Sequence, residues 1–154
     1  MNALRIDMAL FLMVFERDVD YEDLPQAAYL DLVGGSIEWL FEEDEDAELL
    51  GISAAENKTQ RNRVSGDPDR FLLIPGLSHN DHHNILSLFL ASSWTDDDRQ
   101  QSIAQNAYTG SIGGWKKTMA DQDVIRAYHQ FRDQKIPELA EAFLLQNGVM
   151  VEWR

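Results

Sequence analysis

The chain has 154 residues, of which 44% are apolar, 27 are acidic and 13 are basic, and it contains no cysteine. A chain of this length buries enough surface for one hydrophobic core, so we predict a single domain over residues 1–154. The lack of cysteine excludes a disulfide framework, a thiolate zinc site and a thiol nucleophile, and it favours a cytoplasmic location. The apolar run 8–15 is too short to cross a bilayer core of roughly 30 Å, so we expect no membrane span.

Negative charge is concentrated in the first third of the chain. Residues 1–57 carry 15 acidic and 2 basic side chains, whereas residues 58–154 carry 12 and 11. The densest part is a block of six carboxylates in seven positions: Glu42, Glu43, Asp44, Glu45, Asp46 and Glu48. Because such a block repels phosphate, we predict that it binds a basic protein partner and not nucleic acid directly. The alternative is a solvated segment that only keeps the protein soluble.

The first elements in the chain are an apolar segment and a hairpin. Residues 7–15 predict a helix with Asp7 as N-cap, although a buried strand is an alternative for such an apolar run. Two β-favouring runs, 29–33 and 36–41, are joined by Gly34-Gly35, which is typical of a hairpin with a two-residue turn.

A long polar segment separates the hairpin from a third strand. Residues 42–70 have too few apolar side chains to form a core, so we predict a mobile connection with one helical turn. Phe71–Ile74, followed by Pro75-Gly76, predicts a strand that joins the hairpin in one small antiparallel sheet.

The rest of the chain has helical periodicity. Ser78 with Asp81 and Thr95 with Asp98 are capping boxes, each of which predicts a helix that follows it. Gly113-Gly114 predicts a loosened segment before Trp115.

The last predicted elements are a long helix and a short strand. Residues 123–146 form the helix, in which Pro137 produces a kink or a break. Asn147-Gly148 ends it, and residues 149–153 add the strand. The fold class is therefore α+β, with a hairpin and a third strand packed against a C-terminal helical bundle.

In its order of motifs the chain resembles uncharacterised protein family 0158, a family of bacterial proteins. The features that carry the resemblance are Tyr29-Leu30-Asp31-Leu32 with Gly35, Ile74-Pro75, the segment 110–119 with Trp115-Lys116, Tyr128 with Phe131-Arg132, and residues 140–148. After Gly110 that family has an aromatic residue, two arginines, a second aromatic residue and a lysine, where this chain has Ile112-Gly113-Gly114-Trp115-Lys116. Because the paired arginines are missing, the resemblance implies a fold and no binding role for this segment.

Three histidines are the candidate metal ligands. His79, His82 and His83 lie within one turn of each other, next to Asp81, where two imidazoles and a carboxylate could hold a divalent ion. The alternative is a polar first helical turn in which Asp81 is a cap, and this is the interpretation we favour. We therefore predict no bound metal and no cofactor.

Two further constellations have both a functional and a structural interpretation. Asp31 on the first hairpin strand is a candidate acid, although a solvent-facing residue or a partner of a buried arginine is the more common role of such a residue. Cationic and aromatic residues concentrate at Trp115, Lys116, Lys117 and Arg132, which predicts a peptide- or phosphate-binding surface unless the aromatic residues belong to the core.

These patterns together favour a binding protein. No nucleotide-binding loop or catalytic triad occurs in the chain, so we predict a non-enzymatic regulatory protein with a basic macromolecular partner, and in a sharper version a mimic of nucleic-acid phosphates. The alternative from another class is a metal- or carboxylate-dependent hydrolase or nuclease. A third option is a homo-oligomer formed through the helical face around Trp115 and Phe131.

Overall fold

A computed structural model describes residues 2–17, 26–120 and 123–154. Helices and strands are both present, so the predicted α+β class is confirmed. The helices are α1 (Met8–Phe15), α2 (Asp44–Leu49), α3 (Ala54–Ser65), α4 (His79–Ala91), α5 (Asp98–Ala107), α6 (Ile112–Thr118) and α7 (Asp123–Gln146). The strands are β1 (Leu4–Ile6), β2 (Gln26–Asp31), β3 (Ile37–Phe41), β4 (Phe71–Ile74) and β5 (Val151–Trp153). Four of the 15 acidic residues in the first third of the chain lie outside the described residues, namely Asp18, Asp20, Glu22 and Asp23.

The chain divides into two compact units, which we call the sheet unit (residues 1–77 and 140–154) and the helical unit (residues 78–139). In the sheet unit, β3, β2 and β4 form the predicted antiparallel sheet in that order, with β2 in the middle. The two short terminal strands β1 and β5 pair in parallel as a second sheet. Phe11, Val14 and Phe15 of α1 lie in the core of this unit, where the ring of Phe11 stacks on that of Phe15.

The hairpin forms, but in a different register from the predicted one. Leu30 lies opposite Ile37, and five residues (32–36) connect β2 to β3, so the predicted two-residue turn at Gly34-Gly35 is wrong. The cause is Asp31, whose carboxylate accepts a hydrogen bond from Val33 N (2.9 Å) and ends β2 early. Gly35 has φ 79°, and a Cβ there would lie 2.1 Å from the carbonyl oxygen of Arg5, so only glycine fits this turn.

Residues 42–70 contain more structure than one helical turn, because both α2 and α3 lie in them. Ser53 and Glu56 form a capping box that starts α3, with Glu56 N donating to Ser53 Oγ (3.1 Å) and Ser53 N to Glu56 Oε2 (3.3 Å). The prediction of a single turn here is therefore wrong, while the neighbouring predictions of α1, capped by Asp7, and of β4 are confirmed.

The helical unit begins with the predicted capping box of Ser78 and Asp81. The start of α5 differs by two residues, since Asp97 is the N-cap and Thr95 Oγ1 accepts a hydrogen bond from Asp97 N. The predicted loosening at Gly113-Gly114 is also wrong, because both glycines lie inside α6.

Helix α7 continues through Pro137 to Gln146, which excludes a break at that proline. The helix is followed by Gly148 with φ 74°, and β5 provides the predicted last strand. Within the described residues, no helix is long and apolar enough to span a membrane.

Candidate interaction surface

The acidic block forms the helix α2 and the two residues before it. Its side chains are unequal in exposure: Glu42, Glu43, Glu45 and Glu48 are exposed, Asp44 and Asp46 are half-buried, and Ala47 is buried underneath. Three of the carboxylates lie in the first turn of α2, where the positive end of the helix dipole favours negative charge. The segment predicted as a solvated loop is therefore an ordered helical turn that presents carboxylates to solvent.

Asp44 differs from the other acidic residues of the block because its carboxylate binds side chains of α3. Its Oδ1 accepts a hydrogen bond from Asn57 Nδ2 (3.0 Å) and pairs with Arg61 Nη2 (3.1 Å). Arg61 Nη1 also donates to the carbonyl oxygen of Glu42 (3.0 Å). Helix α2 is thus fixed to α3 by one carboxylate, and the remaining five (Glu42, Glu43, Glu45, Asp46 and Glu48) form no salt bridge with any described residue. We call these five the acidic surface.

Asn57 connects the acidic surface to the sheet. It is 2% exposed, and its carboxamide binds both backbone groups of Phe41: Phe41 N donates to Oδ1 (3.2 Å) and Nδ2 donates to Phe41 O (3.1 Å). A carboxamide has one acceptor and two donors, so a single Asn57 side chain can satisfy both Phe41 and Asp44. Asn57 therefore holds α2 in position together with Arg61.

A cleft of about 350 Å³ lies between β3 and α3, next to the acidic surface. The side chains that line it are Ile37, Glu38, Trp39, Ile52, Glu56, Asn57 and Gln60. Its size is at the lower end of the roughly 300–1,000 Å³ range of ligand pockets. Its lining combines three apolar side chains, two acids and two carboxamides, which suits a ligand that is itself both apolar and cationic.

Asp31 pairs with an arginine, as one of its two structural interpretations predicts, but it is the carboxylate that is buried, while the side chain of Arg70 is 35% exposed. Both of its carboxylate oxygens accept from Arg70, at 2.9 Å from Nε and from Nη2, and Arg63 Nη2 lies 3.6 Å away. The residue is 3% exposed. The hydrogen bonds from Arg70 lower the pKa of Asp31 to about 2, against the opposing effect of burial. Such a carboxylate is ionised at neutral pH and acts as a structural anchor between β2 and β4.

Acidification should remove the stability that the Asp31–Arg70 pair provides. The folded pKa of Asp31 (about 2) lies below its ordinary value of 3.8, so its contribution is complete above that ordinary value and is lost as the pH falls towards the folded pKa. We expect the loss to be about 2 kcal/mol, since one pKa unit corresponds to about 1.4 kcal/mol. Urea denaturation of the wild type and of Asp31→Asn, between about pH 5 and about pH 2, measures it. The difference in free energy of unfolding between the wild type and Asp31→Asn should decrease as the pH falls. A difference that does not change with pH would contradict the role of the Asp31–Arg70 pair.

Two of the three candidate histidines are adjacent, and the third is buried. His82 is buried, whereas His79 and His83 face each other with 2.7 Å between their Nε2 atoms. The other ring nitrogen of His83, Nδ1, is hydrogen-bonded to the hydroxyl of Tyr108. Asp81 is held by the capping box with Ser78. Among the described residues, no group of three or more His, Asp or Glu side chains is placed to hold a metal ion.

The aromatic and basic set is divided between core and surface. Trp115 is 1% exposed and its Nε1 donates to the carbonyl oxygen of Ala104 (2.9 Å), so it is a core residue and cannot contact a partner. Lys116 lies 5.6 Å from the ring centre of Tyr128, and burial, with a smaller effect of Arg132, lowers its pKa. Lys117 is exposed. The alternative that the aromatic residues belong to the core is therefore correct for Trp115.

A second cavity, of about 310 Å³, lies in the helical unit. Its lining is mainly apolar (Ile103, Ala104, Met119 and Val124), with Asp97 and Arg99 as its ionisable residues. The Asp97 carboxylate already accepts from the backbone N–H groups of Arg99 and Gln100 as the cap of α5. The Oδ1 atom of Asp97 therefore has a structural role as the cap of α5.

Comparison of the chain with protein-family models, with curated proteins and with solved structures gives no match. The resemblance to uncharacterised protein family 0158 therefore stays a prediction.

Sequence reasoning missed Asn57 and Arg61, the residues that hold α2 in place. The signal that could have found them is the pair Ser53 and Glu56, which has the spacing of a capping box. A helix started at Ser53 puts Asn57 and Arg61 four residues apart on one face. The partner of that face, β3, is not visible in the local sequence.

Proposed function

We propose that this chain is a non-enzymatic binding protein of the cytoplasm, a member of the family that it resembles, and that it contacts a basic macromolecular partner through the acidic surface. The observation that carries the proposal is that five carboxylates lie on the anchored helix α2 or on the two residues before it, four of them exposed, without a compensating cation among the described residues. Like charges held together in this way repel one another and favour a cationic partner. In its sharper version the acidic surface takes the place of nucleic-acid phosphates on the partner.

The anchoring of α2 supports recognition beyond non-specific attraction. Asn57 and Arg61 of α3 bind Asp44, so the backbone that carries the other carboxylates is held in place. Fixing the backbone before binding reduces the entropy that is lost in the complex. Complementary charge also accelerates the encounter, in a way that falls with ionic strength.

The alternative, a metal- or carboxylate-dependent hydrolase or nuclease, needs ionisable groups that converge in a cavity. The described residues offer the cavity beside Asp97, which is a helix cap, and the pair of His79 and His83, which has no third ligand beside it. Neither arrangement favours this second function, so the binding protein is the one function that we propose.

Removing the charges of the acidic surface should weaken the binding of a basic peptide. We expect the quadruple variant Glu42→Gln, Glu43→Gln, Glu45→Gln, Glu48→Gln to bind a labelled lysine-rich peptide about tenfold more weakly than the wild type at low salt, because rim charges act through long-range attraction. Fluorescence anisotropy at low and at physiological salt measures the affinity. The difference should shrink at physiological salt, where the screening length is about 8 Å.

The matched control removes four exposed carboxylates elsewhere. The variant Asp69→Asn, Asp96→Asn, Asp98→Asn, Asp133→Asn has the same net charge of −10 as the quadruple variant, since each removes four charges from −14. It should retain most of the affinity. Equal losses in the two variants would show that only net charge matters and would overturn the localised surface.

A further inference from the structure

The outer edge of β3 has backbone groups that are not used in the sheet. Asp31 N donates to Ser36 O (2.8 Å), which makes Leu30 and Ile37 a pair without mutual hydrogen bonds. Because the direction of the N–H and C=O groups alternates along an antiparallel strand, those of Ile37, Trp39 and Phe41 point away from β2. The order β3-β2-β4 makes β3 an edge strand.

Asn57 shows how this edge is completed at one end. Its carboxamide donates to Phe41 O and accepts from Phe41 N, which are the two bonds that a neighbouring strand would form there. No described residue does the same for Ile37 and Trp39, and the cleft of about 350 Å³ lies beside them. The edge is thus closed at Phe41 and open over Ile37 to Trp39.

The surroundings of the open edge decide what it accepts. Glu38 is already bound by Gln60 Nε2 (2.5 Å) and Arg63 Nη1 (3.1 Å), and the Arg17 guanidinium lies 5.1 Å from the ring centre of Trp39. Apolar side chains lie on either side of it, at Ile37 and Trp39. Negative charge flanks the cleft at Glu56 and at the acidic surface. An occupant with apolar residues in its centre and lysine or arginine at its ends matches this pattern.

We propose that a short extended segment of the basic partner adds to the outer edge of β3 as a further strand, with its backbone bound to Ile37 and Trp39 and its flanking cations near Glu56 and the acidic surface. Strand addition of this kind takes affinity from main-chain hydrogen bonds and specificity from alternate side chains. The inference rests on the proposed function, because it specifies the shape of the basic partner.

The first test uses peptides and the unmodified protein. The probe is the labelled peptide Lys-Lys-Val-Thr-Val-Lys-Lys, and the same peptide with N-methyl groups on the central amides keeps its charge but cannot pair as a strand. We expect central methylation to weaken binding about tenfold or more, since both the N–H groups and the fit at the edge are lost. A control peptide that is methylated on its terminal lysine amides should lose less than about threefold.

The second test changes the edge itself. Ile37→Pro removes an N–H that points away from β2, so the sheet keeps its ladder bonds while the open edge loses a donor. We expect weaker peptide binding with little change in the urea midpoint, whereas Ile37→Val should bind like the wild type. If the proline variant does not fold, slower amide hydrogen exchange of Trp39 in the wild type with bound peptide gives the same information.

The outcomes separate the two proposals. Equal affinities for the plain and the centrally methylated peptide, together with a loss in the Glu42, Glu43, Glu45 and Glu48 variant, would overturn strand addition and leave the acidic binding protein standing. Failure of every basic peptide to bind would overturn both. Weaker binding of the centrally methylated peptide, and weaker peptide binding by Ile37→Pro, would support strand addition.

Discussion

Replacing Asn57 by alanine should lower the free energy of unfolding by about 3 kcal/mol, because buried polar groups that lose their partners cost about 1–3 kcal/mol each. The side chain is 2% exposed and satisfies Phe41 N, Phe41 O and Asp44 Oδ1 at once. The variant leaves the two backbone groups of Phe41 inside the protein without a partner and releases Asp44 to Arg61 alone. Urea denaturation followed by circular dichroism measures the loss.

The matched control is Asn62→Ala, on the same helix but exposed. It should change the stability by less than about 0.5 kcal/mol, as surface substitutions usually do. Similar effects at the two positions would mean that Asn57 has no special role. Because α2 is fixed through Asn57, we also expect Asn57→Ala to weaken the binding of the lysine-rich peptide.

Replacing Trp115 by alanine should have the largest effect on the helical unit, about 4 kcal/mol, because large-to-small changes at buried tryptophan cost about 3–5 kcal/mol. The ring is 1% exposed and meets Phe89 and Tyr128 edge to face, with centroid distances of 6.3 Å and 5.4 Å. Removing it opens a cavity between α4, α6 and α7 and leaves the carbonyl oxygen of Ala104 without its donor. Urea denaturation and amide hydrogen exchange of α4 to α6 measure the effect.

Two further variants divide this loss into its causes. Trp115→Phe keeps most of the apolar volume and loses the hydrogen bond to Ala104, so it should cost about 1–2 kcal/mol. Leu88→Ala, at a residue in the same unit that is 50% exposed, should cost much less than Trp115→Ala. A Trp115→Ala variant as stable as the wild type would show that the ring is not part of the core.

The elements that could be predicted from the sequence are those with local signals. The capping box of Ser78 and Asp81 placed the start of α4, and the apolar run before Pro75 placed β4. Such signals are local because a cap satisfies backbone groups within three residues and proline removes its own N–H. Asp7 as the cap of α1 has the same origin.

The parts that could not be predicted depend on contacts between distant residues. The carboxylate of Asp31, which ends β2 by binding Val33 N, is itself held by Arg70, thirty-nine positions later in the chain. The helical state of Gly113-Gly114 follows from the burial of Trp115 in the same helix, which outweighs the weak helix preference of glycine. For the candidate site, the charge pattern indicated the acidic residues, but only the fold separates the anchor Asp44 from the five carboxylates of the acidic surface.

The carboxamide that closes one end of β3 also bears on solubility. Unpaired strand edges are the places where copies of a protein join and aggregate, and natural sheets protect them with charge and with short open stretches. On β3 the open stretch, judged from the described residues, runs from Ile37 to Trp39, and two copies meeting there would bring their carboxylates together. The same edge that suits a cationic strand therefore discourages self-association of this protein.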